Sequence, residues 1–414
     1  MSTNNTITTD VLIIGGGPAG ALLGNLLGRR GVGVMLAEKE TEITRSFRGE
    51  TIAARSALTL NQLGFGPALR EHGYLELTGI AMWENGRRIV HADYRRFPID
   101  AVPIDLPQPA LINIFMEQAR AFPSFTHNAG TTFTGLIEDA GVVRGARLKH
   151  KDGTVTNVRA RLVVGADGRF SKVRKASELP VTITPMERDF LWFKVPRPAG
   201  WGDDAQLVIR KDKHLVILPT FPDLLRIGYN LPKHGFTEIR KRGFDAFIAD
   251  LIDLDPRLEP VLNHVRSWDD TSFLEIFTAH MTEWAKDGLI LIGDAAHTAT
   301  PILGQGVNLA IQDAVCLAPV VAAALAKRSV NEAIPASDLA EFVASRRAHK
   351  SMVTRFQQLQ ETSLAQHTPL KTMLRRVRLK ALDLFPFKYR MLDKVMNAPH
   401  NMTTAMEARH VAAA

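Results

Sequence analysis

At 414 residues, 45% hydrophobic and 23% charged, the chain has the length for roughly two to three cores and the composition of an ordinary globular protein, which excludes disordered and fibrous classes. Its single cysteine, Cys316, excludes an intramolecular disulfide and a multi-thiolate metal centre, and no ligand spacing calls for another metal. The net charge of +8 and pI near 9.6 are spread along the chain apart from a cluster between Lys371 and Arg390, with no DNA- or RNA-binding signature, so anionic cofactors are the expected partners and nucleic acid is not.

Residues 1–10 are polar and carry no Lys or Arg, so they lack the basic start of a secretory signal. A buried strand over 10–14, a helix over 18–30 and a second strand over 32–37 follow, a βαβ unit. Between the first two lies Gly15-Gly16-Gly17-Pro18-Ala19-Gly20, which fits G-x-G-x-x-G in its proper setting. Gly15 permits the tight turn, Gly17 lets a pyrophosphate approach the backbone, and Gly20 lets the helix lie close to the sheet. The helix opened by Pro18 and Ala19 then turns free N–H groups toward the phosphates. Glu38, about twenty residues on and followed by Lys39, is placed to accept hydrogen bonds from ribose hydroxyls. This unit suits the adenosine half of FAD or of NAD equally well.

Further along, 58–69 reads as a helix, 79–92 as a hairpin turning at Asn85-Gly86, and 111–121 as a helix. Three alternating runs between 131 and 164, with Asp152-Gly153 at the second turn, predict a β-meander. Residues 189–231 predict at least three more strands, a separate antiparallel sheet placed to cover a substrate. In 190–195, Phe190, Trp192 and Lys194 share one face and Leu191, Phe193 and Val195 the other; either face can wall an aromatic substrate, with Arg226, Tyr229 or His214 as polar contacts from neighbouring strands. A last buried strand at 289–292 leads into a mostly helical remainder from 306. The apolar stretch 314–326 is short for a membrane span and contains Pro319, so no transmembrane segment is expected. Over 369–396, Leu370, Met373, Leu374, Val377, Leu382 and Leu384 alternate with Lys371, Arg375, Arg376, Arg378 and Lys380. This basic amphipathic pattern fits a helix packed on its own domain with a solvated face, or one in peripheral contact with an anionic membrane.

Two later segments decide between the nucleotides: 162–174 reads LVVGADGRFSKVR and 289–314 reads LILIGDAAHTATPILGQGVNLAIQDA. With the first fingerprint, and in the same order, they resemble the single-component (group A) FAD-dependent aromatic hydroxylases, the para-hydroxybenzoate hydroxylase-like flavoprotein monooxygenases. The resemblance runs to about residue 350. It implies an α/β fold: a discontinuous, three-layer Rossmann-like FAD-binding domain (1–78, 100–180 and 275–345), an inserted antiparallel β-sheet substrate domain (79–99 and 181–274) and a helical C-terminus (346–414). It also implies FAD as cofactor, NADPH or NADH as a transient hydride donor, and O₂ that adds to flavin C4a before the hydroperoxide's distal oxygen attacks an electron-rich ring. By the same resemblance, Arg48 in Phe47-Arg48-Gly49-Glu50 and Gln108 after Pro107 touch the flavin nucleotide, Pro301 lies beside the isoalloxazine, and Asp167-Gly168 help form the groove shared with the nicotinamide. His297 is a structural position in that family.

The residues agree with this carry-over. Gly293 and Asp294 follow a buried strand, so the Asp294 carboxylate emerges at the sheet edge, in reach of the ribityl chain. Gly304-Gln305-Gly306 precedes an apolar helix over 307–318, whose first residues, Val307 and Asn308, stand at a positive dipole end suited to the anionic pyrimidine edge of a reduced flavin. The cofactor carries the chemistry, so no side-chain nucleophile is needed and none stands out. The expected protein is a cytoplasmic monooxygenase, monomer or homodimer, hydroxylating an aromatic or polycyclic small molecule. The alternatives are a flavin-dependent reductase or dehydrogenase of the same fold, a halogenase, disfavoured because W-x-W-x-I-P is absent, and a non-catalytic flavin-binding scaffold.

Overall fold

The computed structural model describes residues 5–43, 49–210, 212–364 and 368–397. Four hydrophobic runs form the middle of its main sheet: Asn5–Ile14, Val34–Glu38, Val155–Gly165 and Leu289–Leu291. The stretches 11–14, 34–37, 162–164 and 289–291 within them are buried on both faces, which is why they read as continuous apolar runs. The sheet runs Ala285–Lys286, Leu289–Leu291, Val155–Gly165, Asn5–Ile14, Val34–Glu38, Phe125–Ala129, with the meander strands Thr131–Asp139 and Val142–His150 attached through Val155–Gly165. The core pairs are parallel. Ile14 lies opposite both Gly165 and Ala37, and Gly165 opposite Leu291. That register sends all three glycine-bearing turns off one edge of the sheet.

The first strand begins at Asn5, five residues ahead of the apolar run, because its polar residues still pair in register with 156–160. Helix Pro18–Gly28 packs against helices Gln108–Arg120 and Gln305–Ala326. The helix expected at 58–69 is instead two, Ala54–Gln62 and Gly66–His72, parted where Gly64 takes φ +89° and Pro67 opens the second. At the Asn85-Gly86 turn φ is +51° and +74°, the type I′ geometry that this pair favours.

A second sheet runs Ser272–Leu274, Arg188–Pro196, Leu224–Pro232, Lys213–Thr220, Asp204–Arg210, Gly79–Glu84, Arg87–Asp93. Its pairs are antiparallel except for Asp204–Arg210 with Gly79–Glu84. Leu191, Phe193, Leu215, Ile217, Ile227 and Tyr229 on one face pack against Phe247, Leu251 and Leu258 from helix Phe244–Leu254 and the turn that follows. The other face, with Phe190 and Trp192, looks toward the main sheet.

The expected helix at 307–318 extends over Gln305–Ala326, with Pro319 accommodated inside it. This is the one helix among the described residues long and apolar enough to cross a membrane, and 67% of its apolar window is buried, as in a core helix. The C-terminal helices are Ala336–Leu364, Pro369–Leu384 and Phe387–Met396, so the amphipathic pattern of 369–396 is broken at Pro386.

Candidate active site

The three turns touch one another through backbone and charge. At Gly15, φ is +109° and a Cβ would lie 2.4 Å from the carbonyl oxygen of Ala166, so the first and second motifs meet where no side chain fits. A Cβ on Gly20 would stand 2.0 Å from the Gly15 oxygen, which is the close approach of helix to strand. The Glu38 carboxylate accepts from Gly16 N at 2.6 Å and Glu40 N at 3.1 Å, holding the acidic residue against the glycine turn.

The second and third turns are joined by a guanidinium. Asp167 accepts from Ser171 Oγ and from the amides of Lys172 (2.7 Å) and Val173 (3.1 Å), so its carboxylate anchors helix Lys172–Ser177. Burial raises its pKa, although these donors oppose the rise. That helix carries Arg174, which donates to the carbonyls of Ala295 at 2.9 Å and Asp294 at 3.4 Å.

Beneath the third turn lies a buried charge cluster that sequence reading missed. Asp313, fully buried, accepts from Gly293 N at 2.8 Å, His297 Nε2 at 2.7 Å and Arg346 Nε at 2.7 Å. Burial works against its ionisation, yet His297 and Arg346 outweigh it and hold the carboxyl well below the usual range. His297 is 2% exposed, its Nε2 on Asp313 and its ring against Trp284 at 4.9 Å between centroids.

A cavity of about 840 Å³ runs from these turns to the second sheet. Gly15, Gly17, Pro18, Ala19, Glu38 and Lys39 line one end; Gln108, Asp167, Gly168, Gly293 and Asp294 follow; Pro301, Gly304, Gly306, Val307 and Asn308 line the middle. Gly20 is not on the cavity wall; it packs behind it. Arg48 and Phe47 lie outside the described residues. Gln108 Nε2 donates to the Gly49 carbonyl at 3.0 Å, and Asn308 accepts from Ala53 N at 2.8 Å while donating to Thr51 O and Gly304 O, which fixes the start of helix Gln305–Ala326.

The lining suits a dinucleotide-linked flavin. Helices Pro18–Gly28 and Gln305–Ala326 both start on the cavity behind glycine N-caps, Gly17 and Gly304, with no side-chain cap. A Cβ on Gly306 would meet nothing within 4 Å, so at this lining position glycine relieves no internal clash and leaves room for a ligand against the backbone, whereas at Gly168 φ is +84° and the turn itself calls for glycine.

The far wall is aromatic. Phe190 and Trp192 stack at 5.4 Å between centroids, and the Arg226 guanidinium lies 5.2 Å above the Trp192 ring. His214 also lines the cavity; burial, then Arg188 and Arg375, lower its pKa to about 3, so it is neutral at physiological pH. Tyr229 does not belong here: it pairs with Leu191 and Leu215 on the opposite face and donates to Asp250 at 3.2 Å. Unforeseen was the charge network behind Arg226. Glu50, 3% exposed, accepts from Lys194 at 2.8 Å, lies 3.5 Å from Arg226 and accepts from Thr220, which also bonds Asp105. Equally unforeseen, the C-terminal helices complete the wall with Phe356, Glu361, Leu379, Leu382 and Met391.

Residues 8–356 match the FAD binding domain family model. The chain is 38% identical over 358 residues to the 6-methylpretetramide 4-monooxygenase of Streptomyces rimosus, covering 85% of this chain and 83% of that protein. It is 28% identical to the rifampicin monooxygenase of Streptomyces venezuelae and 27% identical to the pentachlorophenol 4-monooxygenase of Sphingobium chlorophenolicum, matching 74% and 73% of this chain but spanning only 62% and 56% of those two relatives. Among solved structures, Pseudomonas aeruginosa PqsL in complex with 2-aminobenzoylacetate (TM-score 0.75, 22% identity, 91% of this chain and 100% of that one) shares the fold. So does p-nitrophenol 4-monooxygenase PnpA of Pseudomonas putida (TM-score 0.77, 21% identity, 94% and 97%).

Proposed function

The chain belongs to the FAD binding domain family and is a flavin-dependent aromatic monooxygenase, and from that premise we propose that it hydroxylates a polycyclic phenolic small molecule of the size of 6-methylpretetramide, using NADPH or NADH and O₂. The observation that carries this reading is continuity: one cavity joins the dinucleotide turns to a wall of Phe190, Trp192, Val216, Leu218 and Ile276 on the second sheet. The sheets divide the labour, with the discontinuous segments 1–78, 100–180 and 275–345 gripping the cofactor and 79–99 with 181–274 presenting the substrate wall.

In this reading Glu38 accepts from the adenosine ribose, and the N–H groups at the start of Pro18–Gly28 receive the pyrophosphate, where anionic charge meets the positive end of the helix. Asp294 accepts from the ribityl hydroxyls. Pro301, Gly304, Gly306, Val307 and Asn308 border the isoalloxazine, with Asp167-Gly168 at the mouth for the visiting nicotinamide, and Gln108 holds the nucleotide from the side. The bound flavin supplies the activation of oxygen that no side chain offers. The chain's own part is to orient the ring and exclude water. Phe190 and Trp192, stacked on each other, form a flat wall against one side of the substrate ring, while neutral His214 and Arg226 offer hydrogen bonds to its oxygen substituents. Cys316, the sole cysteine, is half-buried with its thiol pushed up to about 11 by burial, an inert group that fits a cytoplasmic protein.

The test is flavin reduction. Purified protein should be yellow, and stopped-flow reduction by NADPH or NADH should accelerate when a tetracyclic phenol is added. A flavin that stays oxidised with every donor and ligand would favour a non-catalytic binding role.

A further inference from the structure

Helix Pro369–Leu384 turns an apolar stripe to solvent. Leu370, Met373, Leu374, Val377 and Leu384 recur at the 3–4–7–14 spacing of one helical face, and each is half or more exposed. Phe385 and Phe387, equally exposed, prolong the stripe past Pro386. The inward face sets charge beside Leu379 and Leu382: Arg375 and Arg376 donate to Glu84 at 2.7 and 3.0 Å, and Lys388 of the following helix donates to the His91 carbonyl at 2.6 Å. These ion pairs clamp the helix onto hairpin 79–93 with its greasy side outward, an arrangement with no use in water.

We propose that this face docks on an anionic lipid bilayer. The stripe is bordered by Lys371 and Arg378 on one flank and Lys380 on the other, all exposed and without an ion pair among the described residues. Their long stems let the apolar side chains sink while the cations stay at the headgroups. Residues 369–397 hold eight Lys and Arg against two Asp, and both acids are engaged, Asp383 by Lys388 and Asp393 by Asn397. A second copy of the chain is the poorer occupant, because two-fold pairing of this face would set basic rims against each other. On its inner side the same helix lines the cavity through Leu379 and Leu382, so the docked surface and the substrate chamber share one wall.

The experiment is flotation of the FAD-loaded, full-length protein with vesicles of phosphatidylglycerol and phosphatidylcholine, against phosphatidylcholine alone. Phosphatidylglycerol should raise the bound fraction roughly tenfold at low salt, with most of the gain lost at high salt. Leu374→Glu with Val377→Glu should lower it by a similar factor while flavin content and turnover in solution are unchanged; Lys371→Gln with Lys380→Gln, which removes no apolar contact, should cut binding to the anionic vesicles severalfold. Wild-type protein left unbound by anionic vesicles overturns the proposal. So does a stable dimer in sedimentation that the Leu374→Glu, Val377→Glu pair turns into a monomer. Flavin content measured on the same samples separates this outcome from any failure of the hydroxylase reading.

Discussion

Replacing Gly20 by alanine is expected to yield a protein that folds but comes off the column nearly colourless. The added methyl would stand 2.0 Å from the Gly15 carbonyl oxygen, a backbone atom that cannot swing aside as a side chain would. Helix Pro18–Gly28 must therefore retreat from the strand, carrying Gly17, Pro18 and Ala19 away from the cavity. Overpacking of this kind costs about 1–3 kcal/mol, and displacement of the phosphate-facing amides adds to the loss of cofactor affinity. Gly31→Ala is the matched control: φ there is +72°, so it bears a backbone penalty of about 1 kcal/mol, but nothing lies within 4 Å and Gly31 does not line the cavity. Flavin absorbance per protein should fall at least about tenfold for Gly20→Ala, since 1.4 kcal/mol is one decade, and hold for Gly31→Ala. Equal flavin content in both would remove the close helix–strand approach from the account.

The second large effect concerns Asp313. Alanine in its place leaves Arg346, 3% exposed, without its buried carboxylate and frees Gly293 N and His297, and breaking a buried pair in this way costs about 3–5 kcal/mol. Because the folded carboxyl titrates below its unfolded value of 3.8, its stabilisation is complete above that pH and drains away as pH falls from there through the lower folded value. Thermal melts should show Asp313→Asn flatter than wild type across that acid range and less stable above it. As Gly293 opens the third turn, flavin affinity should drop with stability. A variant that kept wild-type stability and flavin would confine the cluster to packing alone.

The main sheet was legible because its strands are buried on both faces, and the turns were legible because glycine is required where Gly15 and Gly20 crowd backbone. What escaped reading depends on partners remote in sequence. Asp313 looked like one more polar residue on an apolar helix until Arg346 and Gly293 closed around it, and Glu50 gained its role only when Lys194 and Arg226 arrived from the second sheet. Arg375 read as part of a solvated face; Glu84, 291 positions away, buries it and turns the apolar residues outward. Which of Arg226 and Tyr229 meets the cavity is open in the sequence, because it does not say which face of the second sheet is covered by helix Phe244–Leu254. Tyr229 stands three residues from Arg226, and a strand's period of two puts the pair on opposite faces. The break at Gly64 was hidden by apolar residues that keep helical spacing across it, where a single positive φ decides the outcome.

In the proposed reaction a flavin gripped by three separated turns places oxygen on an aromatic ring held against Phe190 and Trp192. Turnover of a tetracyclic phenol with NADPH under ¹⁸O₂ tests it most directly. The expected result is a product heavier by one ¹⁸O atom, one donor oxidised per product, and no product without oxygen. Product formed anaerobically, or carrying oxygen from water, would contradict it.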